Sequence, residues 1–231
     1  MRLIGLLGGM SWESTALYYR LMNEEIRMSL GGLHSARILL HSVDFHDIEQ
    51  RQHRGDWDGT AEILGKAAAG LKAGGADFLV IATNTMHKVA TQIEAASGLG
   101  ILHIADPTGE ALRAEGVKRV ALLGTRFTME QDFYRKRLED KFGLDVIVPG
   151  AEEREAIHRI IYDELCVGVT RPESADAFCA IIAKLKNAGA EAVILGCTEI
   201  TMIVGDHNSP LPVFDTTALH ARAAVKRALS N

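Results

Sequence analysis

Two stretches of this 231-residue chain can be written one above the other. GADFLVIATNT (residues 75–85) over GAEAVILGCTE (residues 189–199) matches Gly-Ala-acid, then an apolar run, then a small polar turn, and sets Thr83 over Cys197 at an offset of 114. IGLLGG (residues 4–9) over VALLGT (residues 120–125) follows at an offset of 116 and carries Tyr18 onto Tyr134. HIAD (residues 103–106) over PVFD (residues 212–215) gives a third match at 109. Strand-helix units share a composition, but composition alone does not preserve order and offset along a chain. The spacing therefore points to duplication of one supersecondary unit.

Inside each copy the rhythm is an apolar run, a Gly/Thr/Asp/Asn turn and a helical segment. Strand candidates are residues 3–7, 36–43, 78–81, 101–104, 120–123, 144–148, 192–195 and 211–214. Apolar spacing near 3.6 predicts helices over 16–28, 61–72, 129–142, 176–186 and 218–229. Alternating β and α elements with continuous apolar strands predict parallel sheets covered on both faces. The expected fold class is α/β: two pseudo-symmetric, doubly wound parallel-sheet lobes with an active-site cleft between them. The first lobe is expected to span 1–104 plus 214–231, its C-terminal helix returning, and the second 105–213. Ligands in such sheets bind beyond the carboxyl ends of the strands.

Composition narrows the function. With 47% hydrophobic residues there is enough apolar material for a core, and a formal net charge of −5 leaves no basic footprint for nucleic acid. A small polar metabolite is the better partner. No apolar run approaches the ~18 residues of a membrane span, and the first residues do not read as a cleavable leader, so neither membrane insertion nor export is expected. Three cysteines without CxxC spacing argue against a disulfide framework and a zinc site, and suit a reducing cytoplasm. The nine histidines show no HExxH spacing, so no metal is expected.

Cys197 follows the run AVIL and a glycine, which places it at a strand-to-helix turn. Free N–H groups and the helix dipole there would favour a thiolate, the form that acts as nucleophile or base. A small apolar residue packed in an interior is the alternative, and it is the better reading for Cys179; Cys166 is intermediate. Thr83 occupies the matching turn with Asn84 and Thr85, three short polar groups able to cap a helix or hold a carboxylate. The opening turn GLLGGMSWEST is GxxGG rather than GxGxxG and lacks a phosphate-loop lysine. Met10 and Ser11 there would line a corner for a small anion, not a nucleotide site. Its counterpart GTRFTME offers Thr125 and Thr128 with Arg126 nearby; a capped helix start would explain either turn. DIEQRQHRGDW (residues 47–57) reads as a polar loop, solvated or closing over a charged substrate through Gln52, Arg51, His53 and Arg54.

GGM at residues 8–10, TNTMH at 83–87, LGT at 123–125 and GCTE at 196–199 resemble the aspartate/glutamate racemase family. The resemblance implies a cofactor-free, metal-free, dimeric racemase in which two facing groups remove and return the α-proton. It also implies that Met10, Gln52, Thr83, Asn84, Thr85, Thr198 and Glu199 line the substrate, an amino acid or small dicarboxylate. Of the family's two cysteines only Cys197 is present; Thr83 stands for the other, as in the subset regarded as preferring L-aspartate and L-glutamate. Cys166 stands where many relatives carry a basic residue. A hydroxyl is a far poorer base than a thiolate, so two further readings stay open: a single-cysteine decarboxylase or isomerase on the same fold, and a non-catalytic amino-acid-binding protein.

Overall fold

The computed structural model describes residues 1–230. In chain order the first elements are β1 (Ile4–Gly8), α1 (Trp12–Leu30), β2 (Ile38–Ser42), α2 (Phe45–Arg54), α3 (Trp57–Ala73) and β3 (Phe78–Ile81). A 3-10 segment (Thr85–Val89), α4 (Ala90–Ser97), α5 (Ala105–Ala114), β4 (Arg119–Gly124), α6 (Arg126–Glu130), α7 (Asp132–Phe142) and β5 (Asp145–Ile147) follow. The chain closes with α8 (Ala151–Asp163), a 3-10 segment (Leu165–Val167), α9 (Pro172–Asn187), β6 (Ala192–Gly196), a 3-10 segment (Thr198–Met202), β7 (Val213–Asp215) and α10 (Thr216–Leu229). It divides into two compact units, Met1–Ile104 with His220–Asn231, and Ala105–Leu219. The return to unit 1 falls inside α10, not at 214. β7 runs beside β6 as far as Asp215, and Thr216 Oγ1 donates to Leu195 O at 3.0 Å.

Unit 1 holds a parallel sheet ordered β2-β1-β3, and unit 2 a parallel sheet ordered β5-β4-β6-β7. The repeat holds residue by residue: Ile4 pairs with Phe78 and Leu7 with Ile81, as Val120 pairs with Ala192 and Leu123 with Leu195. The shared Gly-Ala-acid motif has a backbone cause. Gly75 and Gly189 turn at φ 94 and 96, a left-handed geometry costly for any residue with a Cβ. The acid two residues on then clamps the neighbouring strand: Asp77 Oδ2 accepts from Leu3 N at 2.6 Å, and Glu191 Oε2 from Lys118 N at 2.7 Å.

Both faces of the first sheet are covered, as continuous apolar strands require. Leu7, Leu79 and Ile81 pack with Leu64, Ala68 and Ile93, while Ile4, Leu6, Phe78 and Val80 pack with Tyr18, Met22, Ala224 and Val225. In unit 2, Ala121, Leu123, Val193 and Leu195 meet Ile157, Ile161, Phe178 and Ile182. α1 starts at Ser11, whose Oγ accepts from Ser14 N at 3.2 Å, and α9 starts with Pro172, whose missing N–H costs nothing there.

Three expectations are corrected. Residues 45–54 form helix α2, not a loop: Asp44 caps its start, Gly55 its end, and Ile48 and Gln52 bury its inner face. The strand expected over 101–104 is a single bridge between Leu79 and Ile101. The helix expected over 129–142 is broken at Gln131, whose ψ of 147 is extended.

Gly9 fixes the first site turn. Its φ is 94, and a Cβ there would stand 2.2 Å from Val43 O. Gly9→Ala therefore combines a strained φ with backbone overlap and is expected to destabilise the protein by more than about 2 kcal/mol, read from the shift of a urea unfolding midpoint at constant slope.

Candidate active site

Cys197 stands where β6 stops, beside the end of β4, the point at which the chain leaves the sheet in opposite directions. A Cβ on Gly196 would lie 2.9 Å from Leu123 O and 3.1 Å from Thr128 Cγ2, so only glycine lets the turn pack this tightly. Cys197 is extended, at φ −149 and ψ 131, and the 3-10 segment starts behind it. Its Sγ donates to Glu199 Oε2 at 2.9 Å, and Thr198 Oγ1 donates to the same oxygen at 2.8 Å. Glu199 is buried.

This geometry reverses the expected state of the sulfur. Burial first, then the charge of Glu199, then neighbouring Cys166, push the Cys197 thiol well above its ordinary range. Five residues of 3-10 helix make too weak a dipole to offset a carboxylate in contact. The resting group is a thiol hydrogen-bonded to its own potential proton acceptor. The sequence signal was the acid two positions after the cysteine, read at first only as a substrate contact.

The other unit 2 residues form a rim around β4. Thr125 caps α6, its Oγ1 accepting from Thr128 N and lying 3.4 Å from Thr128 Oγ1. Thr128 is fully buried and works as packing under Gly124 and Gly196. Arg126 faces away to Glu155 at 3.3 Å. Cys166 and Cys197 both pack against the same apolar cluster. Cys179 is only partly buried and donates to Asn208 O at 3.4 Å.

In unit 1 the matching turn follows β3. Thr83 is partly exposed, Asn84 and Thr85 are buried, and the 3-10 segment begins without a side-chain cap from Asn84. Thr83 O accepts a hydrogen bond from His87 Nδ1 at 2.9 Å. On the neighbouring strand Gly9 N donates to Thr15 Oγ1 at 2.8 Å, while Met10 sits 4% exposed in the core. Ser11 spends its Oγ on the α1 cap. Gln52 is 3% exposed on α2, whereas Arg51 is paired with Asp56, His53 with Glu49 at 2.8 Å, and Arg54 with Gln50 at 3.4 Å. The three basic side chains expected at a lid are thus tied to neighbours on the surface.

A groove of about 410 Å³ between α1 and β2, lined by Trp12, Thr15, Ala16, Tyr19, Leu40 and Ser42, includes neither Thr83 nor any ionisable carboxylate. Among the described residues no group of His, Cys, Asp or Glu is arranged to hold a metal ion.

Residues 7–224 match the family described as Asp/Glu/hydantoin racemase. The chain belongs to this racemase family. It is similar to the crystal structure of a candidate Asp/Glu racemase from Yersinia pestis, with 54% identity, a TM-score of 0.94 and all of both chains covered. It is also similar to an aspartate racemase homologue from Pyrococcus horikoshii, at 34% identity and TM-score 0.84 with both chains covered in full. A broad specificity amino-acid racemase, RacX of Bacillus subtilis, is 22% identical over 99% of each chain. As a member of this family the protein is an isomerase acting on amino acids.

The raised thiol has a measurable consequence. A thiol whose folded value lies above its free value is mostly protonated at neutral pH, so alkylation of Cys197 by iodoacetamide should be slow there and rise with an inflection above the free-thiol value of about 8.5. Glu199→Gln removes the adjacent negative charge and should move that inflection down; an unchanged or higher inflection would contradict the assignment of cause.

Proposed function

We propose that the enzyme racemises an acidic amino acid, aspartate or glutamate, with Cys197 as main base and acid and Thr83 on the opposite face. The observation that carries the reading is the Cys197 thiol donating to the buried Glu199 carboxylate at the carboxyl end of β6. Thr83 stands at the matching place after β3, whose pairing with β1 has the register of β6 with β4. That equivalence supports one substrate for both.

In the forward step the thiol passes its proton to Glu199, the thiolate takes the α-hydrogen of the L-substrate, and the electron pair of the C–H bond moves toward the α-carboxylate. Asn84, Thr85, Thr198 and the turn amides stabilise the enediolate by hydrogen bonds set in place beforehand. Thr125 and Thr128 would order the second corner, and Met10, Ser11 and Gln52 the first. Thr83 O–H then supplies a proton to the other face, directly or through water, and is reprotonated from solvent, while Glu199 gives the proton it took from Cys197 back to solvent. No pyridoxal phosphate and no metal enters this scheme. The same reading makes the protein a cytoplasmic homodimer. The similarity to an aspartate racemase homologue supports the acidic substrate. Cys166, in place of a basic residue, and the likeness to a broad specificity racemase argue for testing neutral amino acids beside aspartate and glutamate.

A hydroxyl is a poor base, so the two directions are unequal. In deuterated water α-proton exchange from L-aspartate or L-glutamate is expected to be fast and from the D-enantiomer slow. Cys197→Ala should abolish both, a loss of at least about 10³-fold. Thr83→Cys should raise the rate from the D side by about tenfold or more. Normal exchange in Cys197→Ala would end the proposal, and release of carbon dioxide from a substituted malonate without racemisation would transfer the site to decarboxylation.

A further inference from the structure

The segment after β3 and α4 returns to the sheet only briefly. Leu79 N donates to Gly100 O at 3.1 Å and Leu102 N to Leu79 O at 2.9 Å, and there the ladder stops. Buried backbone groups need partners. Here two imidazoles supply them: His220 Nε2 lies 2.7 Å from Leu102 O, and Ile104 N lies 3.2 Å from His87 Nε2. The second nitrogen of each ring is also engaged, His87 Nδ1 with Thr83 O at 2.9 Å and His220 Nδ1 with the Tyr18 hydroxyl at 2.8 Å.

These contacts fix proton positions without reference to any titration. A carbonyl only accepts and an amide N–H only donates, so His87 carries its hydrogen on Nδ1 and offers a lone pair at Nε2. By the same reasoning His220 carries a hydrogen on Nε2, while its Nδ1 faces the Tyr18 hydroxyl, a group that can donate or accept. The His87 ring is thereby neutral and held in one tautomer. The rings of His103 and His220 face His87 at 4.5 and 5.8 Å, and His87, His103 and His220 are 3%, 8% and 0% exposed.

We infer that His87 is a positioning residue for the reaction: as the neutral Nδ1–H tautomer it fastens the carbonyl of Thr83 to the backbone of residues 102–104. His220 and Tyr18 carry the same strap to α1, the helix that Ser11 caps. The Thr83–Thr85 turn and helix α1 are thus both tied to residues 102–104 through imidazole rings. Both of these His87 hydrogen bonds go to backbone, so it acts on the reaction through Thr83, Asn84 and Thr85. Protonation would turn the Nε2 acceptor into a donor facing the Ile104 N–H and break the strap. The inference rests on the reading that the Thr83 turn holds substrate.

The test combines a measurement on the unaltered protein with two variants. In ¹⁵N-histidine-labelled protein at mildly alkaline pH, the long-range spectrum of His87, assigned by its loss in the variants, should show the Nδ1–H tautomer. His87→Leu should lower kcat/KM for the L-substrate by about 10- to 100-fold, the scale of a misplaced positioning group. It should also speed amide hydrogen exchange across residues 83–89 and leave Cys197 alkylation within about twofold. His87→Gln, whose amide can donate to Thr83 O and accept from Ile104 N, should recover part of the loss. An Nε2–H or protonated His87, or wild-type kcat/KM and exchange in both variants, overturns the inference. If His87→Leu does not fold, the tautomer and the His87→Gln exchange pattern decide. If the wild-type protein racemises nothing, the proposed function fails while those two readouts still test the fastening of the turn.

Discussion

Two parallel strands whose connections depart on opposite sides leave, past their carboxyl ends, a place that no crossover helix fills. β1 beside β3 makes such a place in unit 1, and β4 beside β6 makes it in unit 2. Everything chemically distinctive follows from those pairings. The glycines at positions 9 and 196 let loops approach strand ends closely, and the polar side chains of the turns stand on rigid extended backbone. Because the register of the two pairings is the same, Thr83 and Cys197 occupy equivalent stations without any resemblance between their side chains.

Much of this was readable in the amino-acid order. The Gly-Ala-acid motif marked the entry to β3 and β6 because a left-handed turn and a carboxylate clamp require those residue types at those places. Apolar runs located the strands because strands covered on both faces have no polar alternation to confuse. The failures have physical causes too. α2 is very polar overall, with only Ile48 and Gln52 buried, so its composition reads as a loop although Asp44 and Gly55 cap its two ends. Nothing in residues 101–104 announces that histidines 17 and 118 residues away take over the hydrogen bonding of a strand. The placement of Cys197 in its turn was legible, but its protonation state was not. That state depends on the side-chain direction of Glu199, which sequence does not fix.

In the proposed reaction the thiol and carboxylate at the end of β6 meet a general tension of acid–base catalysis. A base strong enough to take a carbon-bound proton must hold its own proton tightly at rest, and burial beside a carboxylate does that here. The cost is a resting enzyme with little thiolate, and the benefit is sulfur that reacts slowly with stray electrophiles and oxidants. A substrate whose α-ammonium group comes to lie beside the carboxylate would change that balance locally and confine activation to the occupied state.

α10 begins in unit 2 and finishes on unit 1, where Ala221, Ala224, Val225 and Ala228 complete the apolar layer over Ile4, Leu6 and Phe78. A ribosome making this chain releases those residues only after Ala105–Leu219. The amino-terminal unit must wait with part of one sheet face covered by α1 alone, while Ala105–Leu219 has all its own sequence available earlier. The layer over that sheet face is therefore completed only after the sequence of Ala105–Leu219 has been made.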